Sequence, residues 1–444
     1  MIKVYSISLG CPKNRVDTER LLGVFRSGGG VEPVDEPAMA DLVLVNTCGF
    51  IEPAVEESVR TVLENARAVE EAQGKRPLLA VAGCLVSRYG AGELGREIPE
   101  VDIWLSTRDM ERWPGMLAEK MPGFRREGVV FGARQAEAGA GFAYLKVGEG
   151  CGHDCAFCTI PSIRGRAVSD PLPKLLEEAG ELVAGGVKEI ILVAQDVTSY
   201  GKDLGADGPG LVELVDGLAR LEGLAWLRLM YLYPAGLTEP VLDFLAEHAL
   251  DPASPVLPYF DVPLQHSHPD ILKAMGRPFA RDPRRVLDRI RTRMPDAAVR
   301  TSLIVGFPGE GEEEFAHLRE FVSQARFHHL GVFPYWPEEG TRAAALSGGV
   351  AKDVRLARRG EIMALQAEIS EEILERYLGE ALSVLVGGEH PEWPGLYLGR
   401  AWFQAPEVDG ITYVSGPGTA SGRMVAASVE ETKTYDLVAL SEQT

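Results

Sequence analysis

The chain has 444 residues and a mass of 48.1 kDa, a length that suits roughly two to four domains and excludes a small disulfide-stapled scaffold. An apolar fraction of 45% and a mean hydropathy of -0.02 exclude disordered, collagen-like and membrane chains. The formal net charge of -20, from 45 Lys and Arg against 65 Asp and Glu, argues against a broad electrostatic grip on nucleic-acid phosphates and favours basic partners, although solubility alone would explain it equally well.

The start of the chain and its most hydrophobic stretch both bear on location. Residues 1–5 lack a charged leader followed by an apolar block and a cleavage site. Residues 224–237 are interrupted by Arg228 and Pro234, which leaves no window long enough for a membrane-spanning helix. We therefore expect a cytoplasmic protein with no membrane partner. Lasting disulfides are rare in that compartment, so the six cysteines indicate metal or redox chemistry.

An α/β pattern is repeated through residues 1–110: an apolar run that favours a strand, a polar loop with glycine, and a stretch with helical periodicity. Asp17 is a predicted cap of a helix that ends near Gly28, and residues 53–73 predict a longer helix. The predicted strands are residues 3–9, 41–46, 78–82 and 101–105. Parallel strands joined by helices have their carboxyl ends at one edge of the sheet, so that edge is the predicted ligand site.

A second domain is predicted after a Gly- and Ala-rich linker at residues 132–141. Six strand-then-helix units follow in about 200 residues, which predicts a (β/α)6 partial TIM barrel with its chemistry at the carboxyl ends of the strands. The six predicted strands are residues 142–148, 188–195, 226–232, 259–264, 300–305 and 330–335.

A change of pattern after the barrel predicts a third domain. Residues 352–378 have a long, highly charged helical pattern. Residues 381–440 then alternate apolar and polar side chains between glycine-containing turns, which is typical of a small antiparallel β-barrel. The predicted boundaries are residues 1–131 for the first domain, 132–141 for the linker, 142–375 for the barrel with its exit helix, and 376–444 for the C-terminal β-barrel.

Three cysteines follow the first predicted barrel strand with C-x3-C-x2-C spacing: Cys151, Cys155 and Cys158. Three thiolates on one short loop can hold three irons of a [4Fe-4S] cluster and leave the fourth iron open to a substrate or cofactor. The alternative is a zinc site with His153 or a distant residue as its fourth ligand, but closed zinc sites usually have paired two-cysteine knuckles.

The other three cysteines are far apart in the sequence, yet each follows a predicted strand of the first domain. They are Cys11, Cys48 and Cys84. If those strands are parallel, the three thiols converge on one edge of the sheet, as a second three-cysteine cluster site requires. The alternative is that each is a small buried residue near a strand end, the usual role of a free cysteine. The two triads account for all six cysteines.

The loop CGHDCAFC at residues 151–158 resembles the signature of the radical S-adenosylmethionine (SAM) superfamily, in which the open iron chelates SAM. Together with SLGCPKN around Cys11, NTCGFI around Cys48 and the C-terminal β-module, it gives the whole chain a resemblance to the methylthiotransferases. The resemblance implies an N-terminal cluster domain, a radical SAM barrel, a C-terminal TRAM-like module, and two [4Fe-4S] clusters on the two triads.

Within that family, the chain is most similar to the branch that modifies a ribosomal protein. It shares with that branch the sequence motifs GCPKN, LMYLYP, DVPLQH and EEGT, at residues 10–14, 229–234, 261–266 and 338–341. A tRNA-binding module should be basic, but residues 376–444 contain four basic and nine acidic side chains, a net charge of -5, which suits a Lys- and Arg-rich protein better. The resemblance implies methylthiolation of an aspartate of ribosomal protein uS12, free or on the small subunit, without direct tRNA binding.

Two segments depart from the family pattern. The family's Arg-Ser-Arg motif is replaced here by Val168-Ser169-Asp170. The Tyr-Ser pair that precedes EEGT in the family is replaced by Tyr335-Trp336-Pro337. Neither departure involves a cysteine, so the predicted cluster ligands are unaffected.

The resemblance also implies how the two clusters divide the reaction. The cluster on Cys151, Cys155 and Cys158 would pass an electron from a donor such as flavodoxin or ferredoxin to SAM, and the resulting 5′-deoxyadenosyl radical would take hydrogen from the aspartate β-carbon. The cluster on the other triad would hold sulfur, accept a methyl group from a second SAM and deliver the methylthio group. The protein itself would bring the clusters together, position the aspartate and exclude water.

Three further residues are predicted to contribute to the SAM pocket. Phe157 is predicted to lie against the adenine, with a core aromatic as an equal alternative. Gly306 opens the turn GFPGEG, whose glycine order differs from the dinucleotide fingerprint, so a strand-end turn that shapes the pocket is the better interpretation. Gln265 ends a strand with His266 and His268, although strand-end polar residues that only satisfy loop backbone groups are roughly twice as common.

Two other functions stay open from the sequence alone. One is a tRNA methylthiotransferase that acts on N6-isopentenyladenosine with the same two clusters, which the acidic terminal module disfavours. The other is a non-enzymatic, zinc-stabilised metal-binding scaffold for ribosome assembly. Iron content separates the scaffold from both enzymes.

Overall fold

A computed structural model describes residues 1–28, 30–121, 124, 134, 141–205, 207–277 and 282–442. The chain divides into two compact units. The first comprises Met1–Glu137, Glu149–His153 and Cys158–Ala167, and the second comprises Ala138–Gly148, Asp154–Phe157 and Val168–Thr444. The predicted linker, residues 132–141, lies outside the described residues except for Arg134 and Gly141, so the predicted domain boundaries stay a prediction.

The first unit is built on a five-stranded parallel sheet. Its strands are β1 (Ile2–Ser8), β2 (Val31–Pro33), β3 (Leu42–Thr47), β4 (Leu78–Gly83) and β5 (Ile103–Ser106). They lie in the order β2-β1-β3-β4-β5, and every pair is parallel. The four predicted strands are confirmed, whereas β2 was missed because three residues are too few to show a periodic pattern.

Helices connect these strands. The α-helices of the first unit are α1 (Pro12–Ser27), α2 (Glu52–Glu70), α3 (Cys84–Tyr89), α4 (Ala91–Glu97), α5 (Trp113–Lys120) and α6 (Ile160–Arg164), and the 3-10 helices are Pro37–Met39 and Thr107–Arg112. The prediction that Asp17 caps α1 is wrong. The helix begins at Pro12, directly after Cys11, because proline fits the first helical position, where no backbone donor is needed.

Strand β3 explains why the apolar runs of this unit are continuous. All of its residues are buried, and its four apolar residues alternate between two apolar clusters. Leu42 and Leu44 pack with residues of α1 and α5, whereas Val43 and Val45 pack with residues of α2 and α3. A parallel sheet covered by helices on both faces buries both sets of side chains, so the strand shows no polar alternation.

The second unit contains a six-stranded parallel sheet. The strands between residues 142 and 334 are β6 (Phe142–Lys146), β7 (Gly148–Glu149), β8 (Val168–Ser169), β9 (Glu189–Val193), β10 (Trp226–Leu229), β11 (Val256–Asp261), β12 (Ala298–Val305) and β13 (His329–Pro334). The sheet has the order β6-β9-β10-β11-β12-β13, which leaves out the two-residue strands β7 and β8. All six predicted barrel strands are confirmed, with small shifts at their ends.

Helices alternate with the strands of this sheet, as the predicted barrel requires. They are α7 (Leu172–Ala184), α8 (Leu211–Ala219), α9 (Glu239–Leu250), α10 (Pro269–Ala274), α11 (Arg284–Arg293) and α12 (Glu312–Ala325), with 3-10 helices at Val197–Ser199, Pro234–Gly236 and Ala343–Ala345. The exit helix α13 (Lys352–Leu374) continues into a 3-10 helix at Glu375–Tyr377. Its buried residues Ile362, Ile369 and Ile373 join the core of the sheet. No helix in the described part of the chain is long and apolar enough to cross a membrane.

A closed five-stranded barrel follows α13. Its strands are β14 (Ala381–Glu389), β15 (Tyr397–Ala401), β16 (Thr412–Ser415), β17 (Met424–Thr432) and β18 (Leu437–Ser441), in the order β14-β15-β16-β18-β17. The predicted C-terminal barrel is confirmed, and its pairs are antiparallel except for β16 with β18, which is parallel. That pairing joins strands separated by β17, which a local sequence pattern does not reveal.

Buried ion pairs join this barrel to the central sheet inside the second unit. Glu189, at the start of β9, is fully buried, and its carboxylate lies 2.6 Å from Arg228 Nε and 2.6 Å from Arg400 Nη2. Asp409, also buried, pairs with Arg300 at 3.2 Å. Arg400 and Asp409 belong to the C-terminal barrel and the other three residues to the sheet, so charged groups removed from solvent connect the two.

Candidate functional site

Cys11, Cys48 and Cys84 follow three neighbouring strands at the carboxyl edge of the first sheet. Cys48 comes directly after β3, Cys84 is the first residue of α3 after β4, and Cys11 precedes α1, three residues after β1. Strand β1 pairs with β3, and β3 pairs with β4. The structure therefore brings the three predicted ligands of the first triad to one edge.

Glycines beside these cysteines allow their loops to touch. Gly10 has a φ of +92°, and a Cβ on it would lie 2.8 Å from the Cβ of Cys48 and 3.1 Å from its Sγ. A Cβ on Gly49 would lie 2.9 Å from the backbone carbonyl carbon of Cys84. Contacts below 3.0 Å are too short for any side chain, so glycine is needed where the loops of the first triad meet.

Gly83 provides a direct test of this close packing. Its φ is +108°, and a Cβ would overlap the carbonyl oxygen of Thr47. Gly83→Ala should lower the free energy of unfolding by more than about 2 kcal/mol, because its positive-φ extended backbone alone costs about 1–3 kcal/mol for a residue other than glycine and the overlap adds to it. Gly90→Ala is the matched control, since Gly90 has a φ of +86° but no heavy atom within 4 Å of such a Cβ. Urea denaturation measures both, and equal losses would contradict the packing argument.

The three sulfur atoms influence one another electrostatically. Burial raises the pKa of the Cys48 thiol to about 12, and the neighbouring Cys84 and Cys11 add to the increase. Burial also raises the pKa of Cys84, although the guanidinium of Arg164 opposes this effect. Thiolates at this edge therefore need positive charge beside them, which bound iron would supply together with Arg164.

A buried polar network surrounds Cys84. Arg164 Nε donates a hydrogen bond to Cys84 Sγ at 3.2 Å, and Arg164 Nη2 donates to Asn14 Oδ1 at 2.5 Å. The carboxylates of Asp17 and Glu149 lie 3.3 Å and 2.8 Å from the same guanidinium. None of these four residues was predicted from the sequence to have a role at the site. Asn14 and Asp17 lie one helical turn apart on α1, and a polar pair at that spacing is a weak signal because it is usually exposed.

Cys151, Cys155 and Cys158 lie on the irregular loop between β7 and α6, and each is half-buried. Within the first unit, the backbone N–H of Cys151 donates to the carbonyl of Gly165 at 3.1 Å. Within the second unit, Arg277 Nη1 donates to Cys155 Sγ at 3.5 Å. The backbone N–H of His153 also donates to Cys151 Sγ at 3.5 Å, so backbone N–H groups and an arginine both contact this loop.

Both triads fit [4Fe-4S] clusters by their donor chemistry. Each supplies three sulfur ligands, the donors that iron-sulfur clusters take. Each also has an arginine that donates to one ligand, Arg164 to Cys84 and Arg277 to Cys155, and so offsets negative charge on the sulfurs. Among the described residues, no three His, Cys, Asp or Glu side chains are grouped closely enough to hold a metal ion, and this applies to both triads.

Gln265 has an unusual backbone at the carboxyl end of the barrel sheet. It follows β11 with a φ of +74°, and its N–H and carbonyl bond to Ser302 and Ile304 of β12 at 2.8 Å and 2.7 Å. Tyr231, after β10, also has a positive φ of 57°. This conformation is uncommon for residues other than glycine and is concentrated at functional sites. Residues that follow two adjacent strands therefore have a positive φ at the edge where SAM is predicted to bind.

His266 has the backbone-satisfying role that was the alternative prediction, and His268 contributes its backbone N–H to that bond. His266 is fully buried, and its Nδ1 accepts a hydrogen bond from the backbone N–H of His268 at 3.0 Å. Its Nε2 therefore carries the proton and donates to Glu310 Oε2 at 3.2 Å. Burial lowers the pKa of His266, so the ring is neutral and serves to fix the loop.

Phe157 and the turn after Gly306 lie together in the second unit. Phe157 is half-buried and packs against a small apolar cluster that includes Phe307 and Tyr335. Gly306 has a φ of +72°, and a Cβ on it would overlap the side chain of Arg355. The same turn contributes the buried carboxylate of Glu310, which pairs with Arg358 at 2.8 Å. A buried carboxylate disfavours a bound phosphate at this turn, and the pocket-shaping role of Gly306 stays a prediction.

Three family models match the chain in sequence order. Residues 3–106 match an uncharacterized protein family designated UPF0004, residues 145–322 match the radical SAM superfamily, and residues 378–440 match the TRAM domain. Radical SAM proteins use SAM and a [4Fe-4S] cluster, consistent with the cysteine loop at residues 151–158.

Relatives cover the whole chain. The ribosomal protein uS12 methylthiotransferase RimO of Nitratidesulfovibrio vulgaris (strain Hildenborough) is 58% identical over 443 residues, which is 99% of this chain and 100% of that protein. The protein of the same name from Aquifex aeolicus is 44% identical over 438 residues, 98% of this chain and 96% of that protein.

A solved structure supports the fold alone. The radical SAM methyltransferase TsrM from Kitasatospora setae matches with a TM-score of 0.54 at 14% identity, over 86% of this chain and 78% of that one. From the full-length relatives and the matched domains, the chain belongs to the RimO family of ribosomal protein uS12 methylthiotransferases, within the radical SAM superfamily.

Proposed function

We propose that this chain is a radical SAM enzyme that adds a methylthio group to the β-carbon of an aspartate of ribosomal protein uS12. The observation that carries the proposal is the 58% identity to RimO over 99% of the chain. Both cysteine triads and the acidic C-terminal barrel are consistent with it. The product is a transferred sulfur-containing group, so the enzyme is a transferase.

Two sets of thiols would hold the cofactors. Cys151, Cys155 and Cys158 would ligate the cluster to which SAM binds, and Cys11, Cys48 and Cys84 would ligate a second [4Fe-4S] cluster. When bound, the clusters and SAM supply the radical and sulfur-transfer chemistry that an unactivated carbon requires.

The chain's own groups prepare these sites. Arg277 donates to Cys155, and Arg164 donates to Cys84, so a fixed cation neutralises part of the thiolate charge at each triad. Phe157, Gly306 and Gln265 are proposed to shape the SAM pocket. Phe157 would offer its half-buried ring to the adenine, and the backbones of Gly306 and Gln265 would form the wall of the pocket at the strand ends.

Charge favours a protein substrate over tRNA. Residues 376–444 have a net charge of -5 and the whole chain one of -20, which complements a basic protein such as uS12 and repels RNA phosphates. We propose that the chain acts in the cytoplasm on uS12, free or within the small subunit, and that it takes its electron from flavodoxin or ferredoxin.

Mass spectrometry tests the substrate. Anaerobically purified protein with SAM, dithionite and sulfide should convert uS12 to a species heavier by one methylthio group, with the change located on an aspartate. Purified tRNA under the same conditions should stay unmodified. Methylthio-adenosine with unmodified uS12 would overturn the proposed substrate.

Metal analysis of the same preparation tests the chemistry. About eight iron atoms per chain are expected for two [4Fe-4S] clusters. Zinc without iron would overturn the enzymatic proposal and favour the scaffold alternative.

A further inference from the structure

Arg164 contacts a cysteine that lies 80 residues away in the sequence. It lies at the end of α6, shortly after Cys158, yet its guanidinium is 1% exposed and donates through Nε to Sγ of Cys84 at 3.2 Å. The segment that carries the radical SAM cysteines therefore also provides a hydrogen-bond donor to a ligand of the first triad. Both residues belong to the first unit.

The surroundings of Arg164 fix its orientation. Asn14 accepts from Nη2 at 2.5 Å, and Glu149 accepts from Nη1 at 2.8 Å and 3.0 Å. Asp17, fully buried, lies 3.3 Å from the guanidinium. With the two terminal nitrogens held in this way, Nε points at the sulfur, and the planar guanidinium cannot turn away without breaking several bonds.

We propose that Arg164 is a positioning residue that raises the reduction potential of the cluster held by Cys11, Cys48 and Cys84, by donating an N–H···S hydrogen bond to Cys84. The inference rests on the proposed function, which assigns a cluster to that triad. Hydrogen bonds to the sulfurs, net charge and solvent exposure set the potential of an iron-sulfur cluster. Arg164 supplies a permanent charge and a donor, and both stabilise the reduced, more negative form more than the oxidised form.

The sulfur contact distinguishes this role from simple support of the fold. A structural arginine would be satisfied by Asp17, Glu149 and Asn14 alone, and its replacement would change stability without changing a potential. Arg76 offers the matched comparison. It pairs with Asp102 at 2.8 Å and Glu70 at 2.6 Å, just before the amino end of β4, and therefore carries the same charge in the same unit at the opposite edge of the sheet.

The experiment isolates the second cluster, that of Cys11, Cys48 and Cys84, in the full chain. Cys151, Cys155 and Cys158 are replaced by Ala together, and the protein is reconstituted anaerobically with iron and sulfide. Arg164→Gln, Arg164→Lys and Arg76→Gln are each added to this background. Potentiometric titration with dithionite, followed by electron paramagnetic resonance, measures the one-electron couple, in which one electron enters the cluster and no protein bond is made or broken.

Arg164→Gln should lower the equilibrium constant for reduction at least tenfold, which is about 59 mV for a one-electron couple. Arg164→Lys should give a smaller decrease because it keeps the charge and loses the planar donor, and Arg76→Gln should match the parent. An Arg164→Gln potential equal to that of Arg76→Gln overturns the inference and leaves the proposed function intact. If Arg164→Gln binds no cluster, Arg164→Lys decides, and an unchanged potential there overturns the inference. A parent without a cluster overturns both the inference and the second cluster.

Discussion

Replacing Cys151, Cys155 or Cys158 by Ala should reduce SAM cleavage to the rate measured without enzyme. Each substitution would remove one of the three proposed protein ligands of the cluster to which SAM would bind. Replacing Cys11, Cys48 or Cys84 by Ala should instead leave measurable cleavage while stopping methylthio transfer, because the thiols of that triad would serve only the second cluster. Production of 5′-deoxyadenosine and the intact mass of uS12 measure the two steps separately.

Asp154→Asn is the control for the radical SAM loop. Asp154 lies between the cysteines, but its side chain is 88% exposed and pairs with Arg342 at 3.1 Å. An exposed pair of this kind contributes little, so both steps should proceed at the parental rate. Equal loss of SAM cleavage in the two cysteine sets would contradict the proposed division of labour.

Glu189→Gln should lower the free energy of unfolding by about 3–5 kcal/mol, the usual effect of breaking a buried ion pair from one side. Glu189 is fully buried between Arg228 and Arg400. Burial opposes its ionisation, but the two guanidinium groups lower its pKa overall, so the carboxylate is charged at neutral pH. The neutral amide would leave two buried cations without their shared counter-charge.

Glu239→Gln is the exposed control for this prediction. The side chain of Glu239 is 57% exposed and pairs with Arg289 and Arg293 on the surface, where an ion pair contributes about 0–1 kcal/mol. Urea denaturation followed by circular dichroism measures both variants. Equal losses would show that the buried network contributes no more than a surface pair.

The sequence was sufficient for features that repeat or depend on strand order. The six barrel strands and the convergence of Cys11, Cys48 and Cys84 follow from one rule, that parallel strands place their carboxyl ends at a common edge. Strand β3 was predictable because burial on both faces left a short apolar run, whose length suits a strand better than a helix. The resemblance to the methylthiotransferases then predicted the chemistry of that edge, a second [4Fe-4S] cluster.

The sequence was insufficient where long-range partners determine a side chain's role. Asp17 fits the pattern of a helix cap, and only the fold shows that it lies within α1, facing Arg164. Arg164 follows a cysteine loop, and nothing local indicates that its donor reaches Cys84. His266 is a further example, because its Nε2 donates to the carboxylate of Glu310, 44 residues away. Pairings of this kind are properties of the packed chain and leave no periodic signal.

The ion pairs of Glu189 and Asp409 restrict how the C-terminal barrel can be exchanged between proteins. A TRAM module grafted from a tRNA-modifying relative would bring a different surface, but it would also have to present a cation to Glu189 and an anion to Arg300. A chimera without those two groups would lose stability before its substrate preference could be compared. Successful transplants should therefore retain Arg400 and Asp409 and alter only the outward-facing side chains.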